Sequence, residues 1–203
     1  MNLMHGPQFA KKYVNDYLKI DIPVRIVSYR NGWQVDDINL PTPVDYFIHE
    51  PIAMDNWPTI ITVAISTNRF DRIGYDTHDP LYRVTYAMRT YVWVRDVGAE
   101  EATIMRDRLT TVIRAALLDY QCLKAYDKRT SFRAMIDEGT MREEFSDLTL
   151  LKGDRFLAGS YIAYNLEIDE VVAREDIGHL QEIDLEVRSV PIAEPLPTFE
   201  EDE

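Results

Sequence analysis

The sequence has few of the residues on which several classes of protein depend. Its 203 residues include a single cysteine, Cys122, so no disulfide can form within the chain and we expect a reducing compartment. Its eight glycines never form the GxGxxG or GxxxxGK[ST] pattern of a phosphate-binding loop. No apolar run approaches the roughly 18 residues of a membrane span, and residues 1–12 lack the apolar region of a signal peptide. We therefore expect cytoplasmic synthesis and no membrane partner.

Basic residues are also in deficit. The chain has 22 Lys and Arg against 35 Asp and Glu, a net charge of -13. Residues 167–203 hold thirteen acidic and two basic residues, whereas the rest of the chain is close to neutral. Such a chain should not bind nucleic acid tightly, because nonspecific binding depends on neutralising phosphates. We predict an α+β domain over residues 1–170 and an acidic extension over residues 171–203. We interpret the extension as a solvated Pro/Glu tail with a possible short strand, or alternatively as a surface that repels DNA.

The rest of the fold is organised around residues 81–118. Residues 82–94 alternate strictly between apolar and mixed side chains, which predicts a strand with one buried face. Thirteen residues at about 3.3 Å each span roughly 43 Å, far more than a usual strand. After a turn at residues 96–98, apolar side chains recur at the spacing of an amphipathic helix: Ala102, Met105, Leu109, Val112, Ile113, Ala116 and Leu117.

Shorter patterns predict the remaining elements. We expect a helix over residues 9–18, an irregular proline-rich connection over residues 33–58 and a protruding polar loop over residues 66–80. Strands are predicted at residues 22–29, 60–65, 132–136, 145–151, 160–168 and 183–187. The order α-β-β-β-α-β-β predicts an α+β fold with a mostly antiparallel sheet, one very long strand, and two helices packed on one face.

Groupings of side chains suited to catalysis are sparse. Asp76, His78 and Asp79 are the one close set of possible metal ligands, but the same residue types are ordinary in loops. Cys122 has no histidine near it in sequence, and its position beside an apolar helix face favours packing over a nucleophilic role. We assign no catalytic residue, no metal and no cofactor, and we expect a protein that is not an enzyme.

The second face of the long predicted strand carries arginine and aromatic side chains. Arg83, Arg89 and Arg95 recur every six residues, with Tyr91 and Trp93 between them. This face is either a solvated sheet face or a protein–protein interface, for which Arg, Tyr and Trp are the enriched residue types. A strand too long for a small domain to cover favours oligomerisation, with the acidic C-terminal region as the complementary surface on a neighbour.

The order of elements between residues 9 and 168 resembles that of the tail terminator proteins of long-tailed bacteriophages, also called tail completion or neck proteins. The resemblance rests on the N-terminal helix, the strand-forming segment 57–63 (WPTIITV), the charged loop, the long strand, the helix beginning Ala99-Glu100-Glu101, and the late strand at residues 161–168. The proline-rich segment 33–58 and the acidic C-terminus are additions to a minimal member. No short motif carries the resemblance.

This resemblance implies a structural virion protein of the tail or neck, assembled in the host cytoplasm. Such proteins form rings, here expected to be hexameric, that cap the tail tube, end its polymerisation and join it to a head-tail connector while DNA passes through. The resemblance further implies that Arg69, Asp71 and Arg72 reach a neighbouring ring or the tail tube protein. The alternatives are another connector ring (a stopper or adaptor), a metal-dependent hydrolase using Asp76, His78 and Asp79, and an adaptor domain unrelated to viruses.

Overall fold

The structure, a computed structural model, describes residues 6–49, 51, 54–76, 79–119, 134–146, 150–152 and 154–171. The chain divides into two units, Met1–Ala173 and Arg174–Glu203, and every described residue lies in the first. Cys122 and the strand predicted at residues 183–187 lie outside the described residues. The elements are α1 (Pro7–Trp33), β1 (Asp45–Phe47), β2 (Thr59–Asp76), β3 (Asp79–Asp96), α2 (Ala99–Leu118), β4 (Ala134–Phe145), β5 (Leu150–Lys152) and β6 (Arg155–Val171).

The described strands form one sheet in the order β1-β2-β3-β6-β4, with β5 also pairing with β6. Only β1 and β2 are parallel; every other pair is antiparallel. The predicted α+β fold with a mostly antiparallel sheet is therefore confirmed. The sequence predicts one very long strand, but the structure has three, because β2 and β3 have 18 residues each and β6 has 17.

The strand predicted at residues 22–29 is wrong, because the N-terminal helix continues through this segment to Trp33. Leu18, Ile22 and Ile26 are spaced four residues apart and are fully buried, whereas Val24 is 68% exposed. Ile22 and Ile26 fit both a period of two and the i, i+4 spacing of a helix face, so the alternation alone did not separate the two structures. The helix tolerates Pro23 in its interior.

The loop predicted at residues 66–80 is also wrong. The second strand continues through this segment to Asp76 and the third begins at Asp79, so the polar stretch is the far end of a long hairpin. Its register with β3 shifts between Ala64 and Ser66, between Thr67 and Arg69, and between Arg72 and Gly74. Most side chains of β2 from Ile65 to Tyr75 are exposed, so no alternation of burial marks the strand in the sequence.

The predicted strands near the C-terminal end of the domain have different bounds. Residues 132–136 belong in part to β4, which begins at Ala134 and continues to Phe145. The strand predicted at residues 145–151 instead spans the end of β4 and the start of β5. The strand predicted at residues 160–168 lies within the longer β6.

One hydrophobic cluster joins both helices to the sheet. The even-numbered side chains of β3 from Val84 to Val94 are buried, whereas the odd-numbered ones between them are partly exposed. Tyr17 of α1 donates a hydrogen bond to the carbonyl of Ala116 in α2 (2.9 Å). The hydroxyls of Thr110 in α2 and Ser160 in β6 lie 2.7 Å apart in a buried hydrogen bond. These polar contacts fix the positions of the helices and leave the odd-numbered side of β3 as the candidate interaction surface.

Candidate interaction surface

The arginine–aromatic surface consists of Arg83, Arg89, Tyr91, Trp93 and Arg95. All five are odd-numbered residues of β3, so the pleat of the strand places them on one face of the sheet. Strand β3 lies between β2 and β6, and side chains of both neighbours complete the surface. The structure therefore brings the five predicted residues together on one strand.

Arg83 is held at one end of this surface by an acidic residue of β6. Its Nε and Nη2 atoms donate to the two carboxylate oxygens of Asp169, at 2.9 and 3.3 Å. The Asp169 side chain is only 5% exposed. The hydrogen bond to Asp169 raises the pKa of Arg83. A two-pronged contact with a buried carboxylate stabilises the fold, so Arg83 positions β3 on β6.

Arg89, near the middle of the surface, is surrounded by aromatic rings. Its guanidinium carbon lies 4.8 Å from the centre of the Tyr161 ring, and Nη1 donates to the Tyr91 hydroxyl at 3.5 Å. The rings of Tyr91 and Tyr161 lie 5.4 Å apart. A hydrogen bond with the Glu144 carboxylate raises the pKa of Tyr161. In the described part of the chain, no carboxylate forms an ion pair with Arg89.

Trp93 lies flat against the backbone of β6. It pairs across the strands with Gly159, and a Cβ atom added to this glycine would lie 2.5 Å from Cζ3 of the indole. Next to it, Tyr91, Trp93, Glu144 and Tyr161 line part of an open depression of about 180 Å³. This volume suits a single side chain of a partner.

Arg95, at the other end of the surface, makes a looser ion pair. Its Nη2 atom lies 3.7 Å from the carboxylate of Asp154, whose side chain is 89% exposed. A pair of this length with a solvated partner contributes little to stability. Arg83 and Arg95 are therefore alike in chemistry, but the carboxylate that pairs with Arg83 is buried and Asp154 is solvated.

The second group of predicted contact residues lies on a strand and not in a loop. Arg69 and Asp71 of β2 form an exposed ion pair at 2.5 Å, and the Arg72 guanidinium lies 4.3 Å from the centre of the Tyr75 ring. Asp71 pairs across the strands with Arg83, so this ion pair lies on the side of the sheet that carries the arginine–aromatic surface, whereas Arg72 pairs with Tyr82 and lies on the other side.

This hairpin also has an apolar character that the expected polar loop would not have. We name residues 65–75 the distal β2 segment. It exposes four large apolar or aromatic side chains: Ile65 (52%), Phe70 (55%), Ile73 (40%) and Tyr75 (59%). Phe70 stacks on Tyr82 of β3, with ring centres 4.5 Å apart. The segment was interpreted as a polar loop, although four apolar or aromatic residues within 11 positions indicate a strand or a contact surface.

The possible metal ligands of the alternative hydrolase, Asp76, His78 and Asp79, belong to this part of the chain. Residues 77 and 78, and the side chains of Asp76 and Asp79, lie outside the described residues, so this alternative is not tested. Elsewhere in the described chain, no three His, Cys, Asp or Glu side chains are grouped to hold a metal ion. Neither described helix is long and apolar enough to cross a membrane.

We compared the sequence with models of protein families and with curated proteins. No family model matches it, and no curated protein matches it.

Proposed function

We propose that the protein is a structural subunit of the neck of a long-tailed bacteriophage. In this proposal copies of the chain form a ring of the tail terminator type, expected to be a hexamer. The ring caps the tail tube, ends its polymerisation and provides the surface to which the head-tail connector binds. DNA passes through the ring without specific binding.

The observation that carries this proposal is the exposed end of the long β2–β3 hairpin. Ile65, Phe70, Ile73 and Tyr75 expose 40–59% of their surface along one strand. Large apolar side chains exposed along one strand indicate a surface that another protein can cover, and their burial in an assembly is favourable. A subunit built for assembly accounts for the exposure of these side chains on β2.

The arginine–aromatic surface supports the same proposal. Arginine, tyrosine and tryptophan are the residue types that contribute most to protein–protein contacts, and Arg89 lies among aromatic side chains of the same surface. The depression beside Tyr91 and Trp93 offers a place for a partner's side chain. In this proposal Arg83 serves the fold of the subunit, because its Nε and Nη2 atoms both donate to Asp169.

The charge of the chain supports the passage of DNA through such a ring. A duplex that slides through a ring must not be bound tightly at its phosphates. The net charge of -13 opposes such binding. The resemblance in the order of elements supplies the specific place of the ring, at the end of the tail tube.

The proposal is tested by combining the purified protein with its tail tube protein. We expect rings in electron micrographs and, for six chains of 23.6 kDa, a mass of about 142 kDa by light scattering. The decisive measurement is the length of tubes assembled with and without the protein, with the protein located by gold labelling. Rings confined to one end of tubes that stop growing support a terminator. Tubes that keep growing and carry no ring would refute it, and a ring bound only to head connectors would indicate a stopper.

A matched pair of variants sharpens this experiment. Phe70→Ser removes an exposed apolar side chain from the distal β2 segment, whereas Val24→Ser removes one, 68% exposed, from α1. Loss of capping by the first variant and retention by the second would attribute the activity to the hairpin.

A further inference from the structure

Strands β2 and β4 each have an edge that lacks a strand partner, in part or in full, in the described chain. The order β1-β2-β3-β6-β4 places β2 near one side of the sheet and β4 at the other. Strand β2 has 18 residues, and only three of them, Thr59 to Ile61, pair with β1. The outer edge of its other fifteen residues has no strand partner in the described chain. Strand β4 pairs with β6 through residues 134–137 and 142–145, with a register shift between Asp137 and Arg142, and it has no other strand partner in the described chain. Unpaired strand edges expose backbone donors and acceptors that can bind another strand.

The directions of the strands make these two edges suitable partners for one another. Antiparallel pairing of β2 with β3, of β3 with β6 and of β6 with β4 means that β2 and β4 run in opposite directions. A second copy placed beside the first in the same orientation therefore brings its β2 antiparallel to the β4 of the first. The alternation of directions then continues across the junction without a break.

The side chains of the two edges also differ in charge. Strand β4 carries Asp137, Glu138, Glu143 and Glu144 against one arginine, a net charge of about -3 from its residues. The distal β2 segment carries Arg69 and Arg72 against one aspartate. In the described chain, Glu138 has no cationic partner and Arg72 contacts only an aromatic ring, so both are available across a junction. The exposed Phe145 of β4, at 42%, adds an apolar contact for the hairpin.

We propose that the occupant of the distal β2 edge is β4 of a second copy of this chain. The two strands pair antiparallel, Ile65, Phe70, Ile73 and Tyr75 gain cover at the junction, and the arginines of β2 face the carboxylates of β4. Because the two edges are different surfaces of one subunit, the contact is head-to-tail, and repetition around an axis closes a ring. The inference deepens the proposed ring by naming its contact, and it rests on that ring being formed.

The test exchanges the charges of the two edges. The β2 variant carries Arg69→Glu and Arg72→Glu; the β4 variant carries Glu138→Lys and Glu144→Lys. Each variant alone places like charges against each other at every junction, which disfavours association. We expect each to assemble at least about tenfold more weakly than the natural chain, measured by light scattering over a range of concentrations. A control with Lys19→Glu and Arg108→Glu makes the same number of reversals on the helices and should assemble normally.

The mixture of the two variants is the decisive sample. In an equimolar mixture, every junction between unlike variants pairs opposite charges, so assembly should return with the two chains alternating. Circular dichroism of each variant alone shows whether its fold is retained, and hydrogen exchange of the assembly should show protection of the amides in both edge strands. Restored assembly with this protection supports the pairing.

Three results would overturn the pairing. Variants that assemble like the natural chain would show that the ring closes through other surfaces, while the proposed function stands. Weak variants that the mixture does not restore would show that the two edges do not meet. A natural chain that stays monomeric in this assay would remove the contact between copies, and tube capping then decides the proposed function separately.

Discussion

Gly159 provides a direct test of how closely the aromatic side of the sheet is packed. An added Cβ at this position would lie 2.5, 2.7 and 2.8 Å from three ring atoms of Trp93, all well inside van der Waals contact. Gly159→Ala therefore forces the indole away from β6. Overpacking of this kind costs about 1–3 kcal/mol, and replacing a strand glycine by alanine returns about 0.5–1 kcal/mol through lower flexibility of the unfolded chain.

We expect a net loss of about 1–2 kcal/mol in the free energy of unfolding for Gly159→Ala. The measurement is urea unfolding followed by circular dichroism at one fixed protein concentration, because assembly would make the apparent stability depend on concentration. Gly74→Ala is the matched control. A Cβ at Gly74 meets no heavy atom within 4 Å, so we expect no loss and a gain of up to about 1 kcal/mol from the lower flexibility of the unfolded chain.

A double-mutant cycle isolates the contact between the two residues. In a Trp93→Leu background the ring atoms are gone, so Gly159→Ala should cost close to nothing. The same loss in both backgrounds would refute the reasoning, because the cost would then come from the backbone of β6 and not from the indole.

The remaining predictions compare the firmly held groups with the loosely held ones. Asp169→Asn should cost about 1–3 kcal/mol of unfolding free energy, because it weakens a buried contact with Arg83, whereas Asp154→Asn should change it by less than about 0.5 kcal/mol; equal losses in denaturant titrations would contradict this. Burial raises the pKa of Tyr164 above its usual value of about 10. The stability that the buried, protonated phenol contributes to the folded state is therefore complete below about pH 10 and declines as the pH rises further. Tyr164→Phe should flatten this decline in unfolding measured between neutral and alkaline pH, at the cost of a buried hydrogen bond at neutral pH; an unchanged slope would show that other groups cause it. Arg89→Glu should weaken assembly without lowering the stability of the subunit, and an unchanged mass by light scattering would exclude this residue from the interface.

The parts of the fold that could be predicted are those with one buried face. The long strand and the helix that follows it have clear periodicities, and the structure contains both. The prediction of a loop at residues 66–80 was wrong because a strand exposed on both faces shows no alternation of apolar and polar residues. The partner of Arg83 could not be predicted either, because Asp169 lies 86 positions away and only the register of β3 with β6 brings the two together.

The open edges follow from topology and have no local signal at all. Nothing in residues 134–145 marks β4 as an outer strand, and the order β3-β6-β4 is needed to place it there. The sequence shows which arginine and aromatic residues share one face of β3. It does not show what each of them does, because that depends on the residues that contact it in the folded structure. Arg83 and Arg95 look equivalent in the sequence and have different partners in the structure.

The position of β6 in the middle of the sheet has a consequence for synthesis. Leu81 pairs with Val171 and Asp96 with Phe156, so β3 must wait for the end of the domain to leave the ribosome before its second edge is paired. Until then the helices and the β2–β3 hairpin are present without β6, the strand with which β4 pairs. Contacts this distant in sequence slow folding and leave apolar strand edges exposed for longer. A chain cut before Arg155 would keep both helices and still lack the strand that closes the sheet, so it should be a client for chaperones and not a smaller stable domain.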